Sequence, residues 1–205
     1  MQLHWHRRNL RPHPNPALAT ALSAAEERDS GVVSLFVLDD SILAHADGLR
    51  VAFMLGGLHT LREWYRDHGS DLLIRHGDPA DLVGSTAEAV GAERVVWNSD
   101  HSQLARGRDS AVERALARAG IDHTAVPSEE SAQAESAASP ASAPITGLAD
   151  PNALDIENRA VPHLTELVAD AFDTAPLTAG TESARKRLRA MSNGRTYRRC
   201  DDASR

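Results

Sequence analysis

Cysteine is almost absent from this 205-residue chain: Cys200, close to the C-terminus, is the only one. A lone thiol excludes an internal disulfide framework and every zinc site built on cysteines, and it makes the cytoplasm the expected compartment. Lysine is equally scarce. Lys186 stands alone, so arginine carries nearly all the positive charge, against an acidic excess that leaves a formal net charge of −7. That balance argues against a nucleic-acid binder over the chain as a whole. No apolar run approaches the roughly 18 residues of a membrane span, and no secretory leader is expected before the first strand-like run. Four familiar signatures are missing as well: a G-x-x-x-x-G-K-[ST] phosphate loop, a G-x-G-x-x-G after the first strand, H-E-x-x-H, and the G-x-S-x-G nucleophile elbow.

What remains is enough for one respectable core and a further fragment, with 41% hydrophobic residues. The plan of the chain is plainest from Asp71 to Pro79. Leu72-Leu73-Ile74 reads as a buried strand, His76-Gly77 as a turn, Asp78 as an N-cap and Pro79 as the first helical position. A helix then carries Leu82, Val83, Thr86 and Val90, completing half of a parallel βα crossover. The neighbouring stretches repeat this plan. Leu3 to His6 reads as a first strand, and Pro12, Pro14 and Pro16 hold off a helix until about Asn15. A helix follows over Ala17 to Glu27, and Val32 to Leu38 is apolar enough for a central strand buried on both faces. The longest helix spans about Gly48 to His68, with Val51, Met54, Leu55, Leu58, Leu61 and Tyr65 on one stripe. Gly56-Gly57 inside it implies close packing or a kink. Arg94 to Trp97 gives a fourth strand, Ser102 to Ala119 a helix stopped by Gly120, and Ile121 to Val126 a fifth strand.

The predicted class is therefore α/β, with a doubly wound, mainly parallel five-stranded sheet. Such sheets bind ligands outside the carboxyl ends of their strands, where strand order reverses. That rule gathers Arg7 to Arg11, Asp39-Asp40, Arg75 to Asp78 and Asn98 to His101 onto one polar rim. The arginines there suit either a solvated loop or a grip on an anion or cofactor, and Asn98 and Asp100 suit either helix capping or ligand contact. His4 and His6 share one strand face and could meet a metal, but no further ligand is in view, so two histidines on a terminal strand is the plainer reading. After Val126 the texture changes. Residues 127–147 are small, polar and broken by proline, as in a flexible linker; a short helix is expected near Val161 to Ala171 and another over Thr181 to Met191, ahead of a basic tail.

Leu3-His4-Trp5-His6-Arg7-Arg8-Asn9-Leu10-Arg11 resembles the opening strand and loop of the DNA photolyase/cryptochrome family, W-x-R-R-D-L-R. Three more stretches match in the same order: Leu35 to Asp39 is similar to V-F-x-L-D, and Arg50 to Met54 with Gly69 to Pro79 to R-x-x-F-L and G-S-x-L-x-x-x-x-G-D-P. Val96 to Ser102 with Arg106-Gly107-Arg108-Asp109 is similar to V-x-W-N-x-D-Y and R-x-R-D. The resemblance runs from Met1 to about Val126 and implies an antenna domain at 1–126 that holds a light-harvesting chromophore of folate, deazaflavin or flavin type. Carried over by position, its wall would be Arg8, Val37, Leu38, Asp39, Arg50, Asn98, Asp100 and Ser102. Asn9 stands where the family has aspartate, Gly56-Gly57 where it has larger residues, and His101 where it has an aromatic tyrosine.

Photolyases repair a pyrimidine dimer flipped out of DNA with an electron from a reduced flavin held in a helical domain. Here Thr178 to Leu188 resembles the entry to that domain, P-A-G-T-x-A-A, while no T-S-x-L-S-x-x-L flavin clamp follows, and Trp5, Trp64 and Trp97 all fall in the first domain. The resemblance thus implies a truncated member: an antenna domain, a linker at 127–147, and a loosely packed helical stub at 148–205 that does not bind catalytic FAD. Its expected role is a chromophore-binding module unable to repair alone. The alternatives are a regulatory subunit completed by a separately encoded flavin domain, touching DNA only through it, or a decayed remnant. A small nucleotide-binding α/β protein unrelated to light is a further reading, weakened by the missing phosphate loop.

Overall fold

Residues 1–100, 102–127 and 146–167 are described by a computed structural model. In chain order its main elements are β1 (Gln2–His6), α1 (Pro16–Glu26), β2 (Val32–Leu38), α2 (Asp40–Leu43), α3 (Gly48–Asp67) and β3 (Leu72–His76). Then come α4 (Pro79–Ala89), β4 (Arg94–Ser99), α5 (Gln103–Ala119), β5 (Asp122–Pro127) and a short α6 (Leu164–Leu167). The five strands are parallel, in the order β3-β2-β1-β4-β5. Strand order therefore reverses between β1 and β4, and the loops after these two strands flank that switch point.

The two-residue period of the strands sorts side chains between two helical layers. Leu3, Trp5, Val33, Leu35, Val37, Val95 and Trp97 face α4 and α5, where Val83, Ala87, Val112 and Leu116 meet them. Phe36, Leu38, Leu72 and Ile74 face the other way, onto the Val51–Leu55–Leu58–Leu61–Tyr65 stripe of α3. Val32 and Val96 lie under α1. Burial on both faces is why β2 is apolar at almost every position. Caps fall where the sequence places them. Asn15 and Asp78 start α1 and α4, and Gly120 ends α5 in the left-handed region; α5 itself is capped by Ser102, not by Asn98 or Asp100. Gly57 is buried, and a Cβ there would stand 3.5 Å from Leu10 of the β1–α1 loop, an ordinary contact that leaves room for a side chain.

The structure departs from expectation in residues 146–167. They are not a loose stub but a strap laid back on the α/β layers. Val32 N–H donates to the Gly147 carbonyl at 2.8 Å, and Ala149 N–H donates to the Val32 carbonyl at 2.9 Å, forming a parallel bridge at Leu148. Farther on, Ile74 N–H donates to Asn158 Oδ1 at 3.1 Å and Arg159 N–H to the Ile74 carbonyl at 3.1 Å. Val161 is buried against α3. The reason is the edge of the sheet: β3 would otherwise present unpaired N–H and C=O groups, and the strap covers them. The helix α6 lies within the one expected near Val161 to Ala171, whose residues from 168 on are outside the described ones. The linker residues 128–145, the Thr181 to Met191 helix, the basic tail and His101 lie outside them too. The short helix α2 is a feature the sequence reading did not include.

The strap needs Gly31. A Cβ there would stand 2.9 Å from the Ala149 Cβ. Gly31→Ala is expected to lower stability by about 1–3 kcal/mol through overpacking. Urea denaturation reads it, and a change within a few tenths would show that the strap gives way freely.

Candidate functional site

The rim is built from charge that the strands deliver into nearly dry surroundings. Arg7, the residue after β1, has a side chain only 2% exposed. Its Nη1 donates to Asp109 of α5 at 2.7 Å, and its guanidinium lies 5.1 Å from the centroid of the Trp5 ring. Arg108 lies 5.6 Å from the same ring and faces Asp39 at 3.6 Å. Burial first, and then the neighbouring Arg7 charge, pull the Arg108 guanidinium below its ordinary value. Two cations beside one indole are tolerable only because Asp39 and Asp109 stand opposite them. Even so, Arg7 Nε and Nη2 and Arg108 Nε have no hydrogen-bond partner among the described residues.

The proposed wall residues divide among several places. Arg8, Asp100 and Ser102 come together: exposed Arg8 pairs with Asp100 at 2.9 Å, and Asp100 accepts the Ser102 backbone N–H at 3.1 Å. Partial burial would raise the Asp100 carboxyl, but the Ser102 N–H and the Arg8 charge outweigh it and hold it low. Asn98 is buried and fully engaged elsewhere. Its Oδ1 accepts the Ala17 N–H at 3.2 Å and its Nδ2 donates to Asn15 Oδ1 at 2.8 Å, so it fastens the start of α1 to β4. Val37 and Leu38 are buried in opposite layers. Arg50 is exposed on the first turn of α3, with no ion pair among the described residues.

Asp39 alone of that set lines a cleft of about 790 Å³ at the carboxyl ends of β2 and β3. Asp39, Asp40 and Ser41 form one side, Gly77, Asp78 and Pro79 the second, and Gln103, Leu104, Gly107, Arg108 and Ala111 of α5 the third. This is the size range of small-molecule sites. A Cβ on Gly107 would meet nothing within 4 Å, so that wall is open toward the cleft. Leu104 at its lip is 62% exposed. With apolar Pro79, Leu104 and Ala111 beside an incompletely bonded Arg108, the residues present fit a flat heteroaromatic chromophore. Position-by-position matching did not find Gly107, Arg108 and Asp109 as site residues, but one signal was available. The buried stripe of α5 runs Ala105, Asp109, Val112, Leu116, and a charge on an apolar stripe marks a buried partner.

On the opposite face, His4 and His6 pack edge to face with ring centroids 4.2 Å apart. His6 Nδ1 lies 3.1 Å from the Asn9 carbonyl, which can only accept, so the neutral ring carries its proton there. Nε2 then accepts from Tyr65 Oη at 2.8 Å, and Ser34 Oγ donates to Tyr65 Oη at 2.8 Å. Among the described residues no group of three His, Cys, Asp or Glu is placed to hold a metal.

A family model described as DNA photolyase matches residues 2–145. The chain is 51% identical over 128 residues to the deoxyribodipyrimidine photo-lyase of Halobacterium salinarum, covering 60% of this chain and 27% of that protein. It is 42% identical over 121 residues to the deoxyribodipyrimidine photo-lyase of a Synechococcus, covering 58% and 24%. It thus spans about a quarter of the length of these relatives. Among solved structures, a Synechocystis cryptochrome superposes with a TM-score of 0.76 at 18% identity, covering 93% of this chain and 45% of that one. An archaeal photolyase from Sulfolobus tokodaii, described as holding two FAD molecules with the implication of a novel light-harvesting cofactor, superposes at 0.57 with 24% identity, covering 62% and 29%. These likenesses establish the five-stranded parallel α/β fold. Among the described residues no helix is long and apolar enough to cross a membrane.

Proposed function

The chain belongs to the DNA photolyase family, and from that premise we propose that its α/β domain holds a light-harvesting chromophore of folate, deazaflavin or flavin type in the cleft beside Asp39 and Arg108. The observation that carries this reading is the cleft itself, a cavity of about 790 Å³ walled by strand ends and by Gly107 of α5. Arg108 offers a donor, Asp39 an acceptor, and Pro79 and Ala111 flat apolar contact. Arg8, Asp100 and Ser102 hold the turn into α5 and so set the position of its wall. The two FAD molecules of the archaeal photolyase keep a flavin among the candidates.

In this reading the 205 residues by themselves collect light and do not repair dimers. Trp5, Trp64 and Trp97 all sit in the α/β unit, and no stretch resembles the flavin clamp. Repair would need a helical flavin-binding domain beyond these 205 residues, with DNA met through that domain. The test is uptake of added chromophore by the purified chain, followed by near-ultraviolet and blue absorption and fluorescence. Gly107→Leu is expected to weaken uptake by at least about tenfold while leaving thermal stability unchanged or raised, since a helical glycine costs about 1 kcal/mol relative to better helix formers. A wild-type chain that takes up none of the three chromophore types overturns the reading. Light-driven dimer repair by the chain alone overturns the need for a partner.

A further inference from the structure

We propose that Trp5 and Trp97 form a path along which one electron crosses the sheet from the β5 edge to the cleft, discharging oxidation that begins there. The source of that oxidation rests on the chromophore reading; the path does not. Trp5 on β1 and Trp97 on β4 are register partners in adjacent strands. Both are buried, and their ring centroids lie 5.8 Å apart, edge to face. His123 on β5 stacks on Trp97 at 5.5 Å and 19°, and its side chain is 37% exposed. At the other end Arg108, which lines the cleft, lies 5.6 Å from the Trp5 centroid. An aromatic series therefore runs from beside the cleft wall to solvent in two ring contacts. Trp64 is no part of it, since it stacks on His68 in the opposite layer.

Charge gives the path a direction. A positive hole on Trp5 faces the guanidiniums of Arg7 and Arg108, at 5.1 and 5.6 Å. Trp97 has no cation over its ring among the described residues. Instead Glu113 Oε1 stands 3.9 Å from Nε2 of the His123 ring stacked on it. Positive charge is better tolerated at Trp97, so an oxidised Trp5 draws an electron from it. Asp39 and Asp109, opposite the two arginines, moderate this bias and keep Trp5 within reach of a photo-excited oxidant. The electrons balance. Trp5 gives one to the photo-excited ring system in the cleft, Trp97 gives one to Trp5, and a soluble one-electron donor such as ascorbate gives one to Trp97. No bond forms or breaks. Trp97 Nε1 has no hydrogen-bond partner among the described residues, so its proton stays and the transfer is reversible.

A ruthenium polypyridyl label tests the path in the full chain without any natural chromophore. It is attached at the exposed lip of the cleft through Leu104→Cys, with Cys200→Ser and Trp64→Phe removing the competing thiol and indole. A laser flash with a cobalt(III) quencher leaves ruthenium(III), which takes one electron from the protein; ascorbate then restores it. The visible absorption of the tryptophan radical cation reports both steps. Trp5→Phe is expected to lower the radical yield at least about tenfold, and Trp97→Phe to slow its clearance by ascorbate at least about tenfold. Both keep an aromatic ring in the core, and thermal melting checks that they fold. Should either fail to fold, the decision falls to His123→Leu at the part-exposed edge, which should slow clearance at least about threefold. Unchanged yield in folded Trp5→Phe, or unchanged clearance in Trp97→Phe or His123→Leu, overturns the inference and leaves the chromophore reading standing. A chain that passes these tests yet takes up no chromophore loses that reading and keeps the path.

Discussion

Asp71→Ala is expected to destabilise the domain by about 3–5 kcal/mol, because it strands a buried cation. The Asp71 side chain is 4% exposed and receives Arg62 at 2.8 and 3.0 Å, Arg66 at 3.2 and 3.3 Å, and the Leu72 N–H at 2.8 Å. Asn158 Nδ2 reaches it at 3.2 Å, and Arg62 Nη1 continues to the Arg159 carbonyl at 2.7 Å. One carboxylate therefore joins α3, β3 and the strap. Its removal leaves the Arg62 guanidinium, 10% exposed, without a counter-charge, and loosens the residues that cover the β3 edge. Urea denaturation should show a lower midpoint. Replacing both partners, Arg62→Met with Asp71→Leu, should recover much of the loss, since an apolar pair demands no desolvated charge. A single-variant loss below about 1 kcal/mol would mean that the network is solvated and the strap is held by its backbone bonds alone. Burial by itself would raise the Asp71 carboxyl, but the Arg62 and Arg66 bonds and the Arg62 charge hold it below its usual value. Its contribution is thus present above the ordinary carboxylate range and lost as pH falls through and below that range.

How much of this was legible beforehand depends on whether a feature is local. The strand–turn–helix from Leu72 to Ala89, the α3 stripe and the caps at Asn15 and Asp78 are written in spacings of two to four residues, and the structure reproduces them. The rim was legible as a set of loops because strand ends must collect ligands at a switch point. Its internal pairing was not. Arg7 finds Asp109 across 102 residues, and Asn98 finds Asn15 across 83, so neither contact leaves a local pattern. The strap failed for a related reason. Leu148, Leu154, Ile156 and Val161 fill separate places on the two layers as the chain crosses the sheet edge, so their spacing follows neither a helix nor a strand.

The other large effect concerns the histidine pair and acts at a higher pH than Asp71. His4 and His6 are essentially inaccessible, and burial pushes His6 down from 6.5 to about 4 and His4 well below its ordinary value. The unfolded chain takes up these protons near 6.5 while the folded chain resists, so their neutral burial supports the fold above that pH and is lost as pH falls from 6.5 through about 4. For His6 alone the shift corresponds to about 3 kcal/mol, and His4 adds to it. The mechanism is visible in the contacts. Protonated His6 could no longer accept from Tyr65 Oη, breaking the Ser34–Tyr65–His6 chain, and among the described residues neither His4 ring nitrogen has a partner that would stabilise a charge. Urea midpoints should therefore decline steadily between pH 7 and pH 4.5, before Asp71 begins to titrate. His4→Leu removes a buried polar ring that has no hydrogen bond among the described residues, so it should be neutral or stabilising at pH 7 and should flatten the decline. Stability that stays level down to pH 5 would mean the pair is hydrated or already charged in the folded protein. The dry, neutral interior beneath α1 and α3 would then have to be abandoned.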